Sequence, residues 1–386
     1  MTDNPLKRLV ASGQAIWLDY LHQDILQNGE LKRLIEDDGL SGLTSNPSIF
    51  EKAIGGGEAY DARIARLIAD GRTDANAIYE AVAIGDIQQA CDQFRPTWDR
   101  LGGRDGYASL EVSPRLANDT EATVAEARRL WKAVGRPNLM IKVPGTRAGV
   151  PAIRRLIGEG ININVTLLFG LQAYLDVAEA HIAGLEDLKA AGGDVARTHG
   201  VASFFVSRID TAVDKKIDAQ SKTADASVAA RLKALRGKVA IANAKVAYRR
   251  YLGLIAGARW KALAAAGAAT QRVLFASTGT KDPSYSDVLY VETLIGPDTI
   301  NTMPPKTLDA FRDHGRVAQT LTEDPTGSEA ILREAEALGL DLLGVTDGLV
   351  EDGVRLFIEA FDALLAAVED KRRRLGGKAS AQTAHA

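Results

Sequence analysis

Residues Asn138 to Thr146 read NLMIKVPGT, and Lys142 stands inside a short apolar run with the marks of a buried strand. A lysine ammonium is strongly hydrated and is rarely buried without a partner. Side chains on a strand alternate between faces, so Leu139, Ile141 and Val143 share one face, and Met140 and Lys142 share the other. The rest of the chain must supply a reason for a lysine on that second face.

Seven further β-rich runs alternate with helical segments. They are AIWLDYL from Ala15, GLTSNPSI from Gly42, YASLEVS from Tyr107, INVTLLF from Ile163, GVASFFVS from Gly200, QRVLFAST from Gln271 and DTINTMP from Asp298. Between them, apolar residues recur at helical spacing over Thr120 to Val134 and Gly149 to Ile157; Asn118-Asp119-Thr120 offers N-cap chemistry and Gly135 a stop. Such alternation predicts an α/β fold, a single (β/α)8 barrel of TIM type with additional helices, against an open doubly wound sheet as the competing layout.

Each strand carries an aliphatic face and a face that turns polar late in the run. The pairings are Trp17 with Asp19, Thr44 with Asn46, Ser109 with Glu111, Met140 with Lys142, Asn164 with Thr166, Ser203 with Phe205, and Phe275 with Ser277. In a barrel the second face points inward and its C-terminal end is the active-site mouth. Any one of these residues alone reads as a solvated edge or a satisfied buried polar group. Polar residues at the same late position in most strands read instead as one functional pocket.

Composition narrows the chemistry. The 386 residues are 46% hydrophobic and 25% charged, the balance of a globular enzyme without bilayer-spanning runs. A net charge of −3 gives no footprint for nucleic acid, and the run Lys371-Arg372-Arg373-Arg374 suits a helix C-terminus better than a nucleic-acid patch. The one cysteine, Cys91, fits a reducing cytoplasm, and the start MTDNPLKRLV lacks a signal-peptide core. The five histidines are scattered and no phosphate-cradling or dinucleotide motif occurs, so no metal and no cofactor is expected.

A lysine held away from water can present a neutral amine, which attacks a carbonyl; the resulting iminium draws electrons from the neighbouring carbon and permits C–C cleavage. Asp19 and Glu111 are the acids and bases on the same face. The competing reading is a structural ion pair of Lys142 with Glu111 or Asp19, a large desolvation cost for little gain.

The segments LTSNPSIFEKAI, SLEVSPRLANDTEAT, LMIKVPGT, GININVTLLF and FFVSRID closely resemble the transaldolases of the pentose phosphate pathway, in order from about Gln14 to Pro304. The resemblance implies a class I aldolase barrel that moves dihydroxyacetone between sugar phosphates. It implies that Lys142 forms the Schiff base, Asp19 takes the hydroxyl proton in cleavage, and Glu111 moves protons through a water held with Thr166. Asn46 and Asn164 would hold hydroxyls of the three-carbon unit with Thr44 and Ser203 beside them, and Arg208 would grip the phosphate. The seventh strand departs from the common pattern: Ser277-Thr278-Gly279-Thr280-Lys281 replaces Ser-Phe-Arg, so Lys281 and turn N–H groups are the candidates for the missing arginine's role. The third strand also differs, with Ser113-Pro114 where relatives often carry Asp-Ala.

Fructose 6-phosphate aldolases of the same family release free dihydroxyacetone; they carry Gln at the position of Glu111 and Tyr at that of Phe205, so both positions read as transferase. A non-catalytic phosphosugar-binding barrel would lack the lysine or the carboxylates. Residues 1–375 are expected to form one barrel domain with helical insertions at Pro47 to Gly106 and Asp210 to Thr270, ending in a helix from about Glu351 to Leu375. Residues 376–386 are expected to be a disordered tail. Monomer and homodimer are both left open.

Overall fold

The computed structural model of the chain describes residues 4–383, with side chains through residue 376. Eight parallel strands close in chain order: β1 (Gln14–Leu18), β2 (Leu40–Thr44), β3 (Tyr107–Glu111), β4 (Leu139–Pro144), β5 (Ile163–Leu168), β6 (Gly200–Phe205), β7 (Arg272–Ala276) and β8 (Thr299–Met303). Pairing of β1 with β8, from Gln14 opposite Thr299 to Leu18 opposite Met303, closes the barrel and rules out the open sheet.

Helices α1 (Pro47–Gly55), α2 (Asp61–Ala69) and α3 (Ala75–Arg100) fill the long connection from β2 to β3. After β3 comes α4 (Thr120–Val134), after β4 comes α5 (Gly149–Gly158), and after β6 comes α6 (Ser207–Gln220). The expected ends of α4 hold. The Asp119 carboxylate accepts the Ala122 N–H at 3.0 Å, and Gly135 stops the helix at φ +60°. Strand β2 is shorter than the run from Gly42 suggests, because the Asn46 side chain accepts the Ile49 N–H at 3.0 Å and Pro47 opens α1. Local capping outcompetes strand extension there.

The last helix, α7 (Leu342–Thr383), begins before the expected Glu351. Asp341 starts it: its carboxylate accepts the Gly344 N–H at 3.0 Å. The predicted disordered tail falls on residues of which 377–386 have no described side chains and 384–386 no described backbone. The basic run at Lys371 does not end the helix and serves another purpose. Lys371 is buried and pairs with Asp61 of α2, Arg374 pairs with the same carboxylate, and Arg372 and Arg373 pair with Glu369. The run fastens α7 to α2. Helix α7 also packs on α1, α3, α6 and the end of β5, so it crosses the C-terminal end of the barrel.

The opposite end of the barrel is plugged. Trp17 Nε1 donates to Asp105 Oδ1 at 2.8 Å, and Arg272 Nη1 donates to Asp105 Oδ2 at 3.0 Å, all three residues being buried. Gly42 is required by this plug, since a Cβ there would lie 2.5 Å from the Trp17 indole. Among the described residues no helix is long and apolar enough to cross a membrane.

Candidate active site

Register brings the polar ends of the strands together. Glu111 of β3 lies opposite Lys142 of β4, which lies opposite Asn164 of β5. Partners in a parallel ladder share a face, so the three form one row inside the barrel. A cavity of about 1280 Å³, its open end included, is lined by Asp19, Thr44, Asn46, Lys142, Thr166, Ser203, Phe205, Arg208, Ser277 and Lys281. Ten of the twelve residues singled out from the sequence therefore line this one cavity. Glu111 and Asn164 stand just behind its wall.

Lys142 is 4% exposed and Glu111 8%, and Lys142 Nζ lies 3.3 Å from Glu111 Oε2. The ammonium donates to the Ser45 carbonyl at 3.1 Å, and the Phe357 ring centroid lies 5.9 Å from it. The contact with Glu111 lacks hydrogen-bond geometry, so both Glu111 oxygens are buried without a hydrogen-bond partner among the described residues. Burial pushes the Glu111 carboxyl above the ordinary carboxylate range, against the lowering pull of Lys142. Thr166 Oγ1 is likewise buried without a partner.

Around this centre the polar groups are tied to one another. Thr44 Oγ1 donates to Asp19 Oδ1 at 2.7 Å and sits 3.2 Å from Thr302 Oγ1. Ser203 Oγ donates to Asn164 Oδ1 at 2.7 Å, and Asn164 Nδ2 donates to Ser109 Oγ at 3.1 Å. Asn46 spends its carbonyl oxygen on capping α1 and still borders the cavity with its remaining surface. Beside Thr166, Leu167 takes φ +60°, a left-handed conformation that costs a bulky residue, where the β5–β6 register shifts. Leu167 packs beneath Gly353 of α7, where an added Cβ would come within 2.8 Å of its Cδ2.

The face assignment for β7 needs correction. Ser203 pairs with Leu274 and Phe205 with Ala276, so Leu274 and Ala276 face inward and Phe275 faces out. Ser277 reaches the cavity because its backbone turns left-handed, at φ +56°, which breaks the alternation just past the strand. Its hydroxyl lies 2.9 Å from Ser207 Oγ.

Two cations flank the mouth just past adjacent strands, Arg208 after β6 and Lys281 after β7. Arg208, in the first turn of α6, is half-buried with its guanidinium carbon 5.4 Å over the Phe205 ring. Burial lowers its pKa, while the Asp19 charge pulls the other way. Lys281 is exposed and borders both the main cavity and a groove beside Asp282. Neither has an ion-pair partner among the described residues, although most arginines of this chain are paired.

Among the lining residues that the sequence does not single out are Tyr20, Lys52, Thr302 and Phe357. Thr302 was legible as a late inward polar residue on β8, and Lys52 as the residue one turn after Ser48 in α1. Phe357 is not legible as a site residue, since nothing in a helix outside the eight repeats says where it lands. Among the described residues, no group of three or more His, Cys, Asp or Glu could hold a metal ion.

The fold and the site together define a (β/α)8 barrel with a lysine–carboxylate centre at the C-terminal end of its strands. The family model Transaldolase/Fructose-6-phosphate aldolase matches residues 16–368, and the chain belongs to that family. A Nostoc punctiforme protein named Transaldolase 2 is 48% identical over 96% of this chain and 98% of its own length. Transaldolase 1 of Streptomyces avermitilis is 48% identical over 96% of both chains. A Mycobacterium bovis protein named Transaldolase is 44% identical over 94% of this chain and 96% of its own.

Proposed function

We propose that this chain is a transaldolase acting in the pentose phosphate pathway of the cytoplasm. It moves a dihydroxyacetone unit from sedoheptulose 7-phosphate to glyceraldehyde 3-phosphate, giving erythrose 4-phosphate and fructose 6-phosphate. The observation that carries the reading is the Lys142–Glu111 pair, whose lysine borders a cavity rimmed by Arg208 and Lys281, neither with an ion-pair partner among the described residues. A buried pair kept only for structure needs further hydrogen bonds to repay its desolvation. The Glu111 carboxylate has none among the described residues, which favours a pair kept for chemistry.

In this mechanism the Lys142 amine adds to the ketose carbonyl, and loss of water gives a protonated imine. Glu111, with Thr166 beside it, moves the protons of that step. Asp19, oriented by Thr44, takes the proton of the hydroxyl on the carbon being cleaved. The C–C bond breaks, its electron pair flows to the iminium to give an enamine, and the aldose leaves. The acceptor aldehyde adds in reverse, and hydrolysis frees the new ketose. Asn46 and Ser203 hold hydroxyls of the three-carbon unit, Asn164 orients Ser203 from behind the wall, and Phe205 supplies an apolar wall. Arg208 and Lys281 bind the phosphate, and the guanidinium fork makes Arg208 the stronger ligand.

Borohydride reduction in the presence of fructose 6-phosphate, followed by peptide mass mapping, tests the reading. The adduct is expected on Lys142; an adduct on Lys52 or Lys281, or none, overturns it. Release of free dihydroxyacetone as the main product would instead favour the aldolase branch of the family.

A further inference from the structure

Glu111 does not line the sugar-sized cavity. It lines a second, narrower cleft of about 470 Å³, outer opening included, bounded also by Tyr79, Glu80, Glu126, Ser113 and Phe361. Lys142, Asp19 and Thr166 border only the first cavity, and Asn46 borders both. Glu111 thus stands between the two spaces: it borders the cleft, while its carboxylate lies 3.3 Å from Lys142 Nζ and has no hydrogen-bond partner among the described residues. The inner part of the cleft has room for water but not for a sugar.

The cleft has a polar lining that leads outward. Tyr79 stands edge-on to Phe50 and Phe361, with centroids 5.6 and 5.7 Å away, which fixes its ring. Burial raises its hydroxyl pKa and the Glu111, Glu126 and Glu80 carboxylates raise it further, so it stays a proton donor among them. Glu126 Oε2 accepts the Ser113 N–H at 3.1 Å, and its Oε1 lies 3.5 Å from Arg129 Nη2. Arg129 in turn holds Glu80 at the outer end, Nη2 to Oε2 at 2.6 Å.

We propose that this cleft is a side port through which water and protons of the imine steps are exchanged with solvent, with Tyr79 and Glu126 as positioning residues for that exchange. The inference rests on the Schiff-base reading above. Ketone plus the Lys142 ammonium gives protonated imine plus one water, and hydrolysis consumes one. While a ketose phosphate fills the mouth and Phe357 covers Lys142, the port offers that water a route past Glu111.

Fructose 6-phosphate carrying ¹⁸O at C2, with acceptor omitted, reports each cycle of imine formation and hydrolysis as loss of label to solvent. Tyr79→Phe and Glu126→Gln keep shape and remove one proton-bearing or charged group each. Each is expected to slow label loss on the order of tenfold, while the fraction of enzyme trapped by borohydride at equilibrium stays at the wild-type level. A port governs rates and leaves that equilibrium alone; a merely structural defect lowers the trapped fraction. Wild-type label loss in both variants, or label loss falling only in step with trapping, overturns the port. If the wild-type protein neither traps nor loses label, the Schiff-base reading itself fails and the port falls with it.

Discussion

Replacing Arg208 with alanine tests the proposed phosphate contact apart from everything else the residue does. The guanidinium is held over Phe205 at 5.4 Å and has no carboxylate partner among the described residues, so its donors are open to a ligand. A hydrogen bond to a charged group contributes about 1.5–3 kcal/mol, roughly ten- to 150-fold in kcat/KM. Loss of packing against Phe205 affects every substrate alike, whereas loss of the phosphate contact affects only phosphorylated ones. The ratio of kcat/KM for glyceraldehyde 3-phosphate over unphosphorylated glyceraldehyde therefore isolates the contact. That ratio is expected to fall by roughly ten- to 150-fold in Arg208→Ala, and less in Arg208→Lys, which keeps the charge without the fork. Equal losses on the two acceptors would remove Arg208 from the phosphate site.

Thr44→Val keeps shape at a buried position and deletes the 2.7 Å hydrogen bond to Asp19; imine trapping should persist while turnover falls about tenfold or more, and unchanged turnover would show that Asp19 is oriented by other contacts. Asp105→Ala strips a buried arginine and the Trp17 indole of their shared acceptor, so denaturant unfolding should report a loss of about 3–5 kcal/mol; a loss under 1 kcal/mol would refute the plug's importance. Burial lifts the Asp210 carboxyl from 3.8 to about 7, so the folded state holds its proton longer than the unfolded chain does. Stability from this group is complete below about pH 4 and is lost as pH rises through about 7. Asp210→Asn should flatten that stretch of the stability–pH curve, and an unaltered slope between pH 5 and 7.5 would exclude the assignment.

Much of this was legible because a barrel repeats one instruction eight times. Alternation put Glu111, Lys142, Asn164 and Thr166 on the inward face from the letters alone, and register merely aligned them. What failed to read through were places where backbone geometry breaks the period. Ser277 enters the cavity only by a left-handed turn, which reversed the apparent face of Phe275. The basic run at Lys371 looked like helix-end chemistry, but a carboxylate far away in sequence, Asp61, had the stronger claim on it. Glu111 and Asp19 look equivalent as sequence. Only burial and register separate them, one behind the wall beside the lysine and the other in the open cavity next to Thr44.

The position of Phe357 has a consequence for how the protein is made. Translation runs from the N-terminus, so all eight strands emerge from the ribosome before the segment that carries Phe357 does. Closure of the barrel and covering of Lys142 are therefore separate events in time. A nascent chain halted between Met303 and Leu342 holds the complete set of strands, the lysine and both carboxylates, but not the ring that stands 5.9 Å from the amine. The aromatic cover over the amine is thus added by a segment made after the sheet that displays Lys142 is already complete.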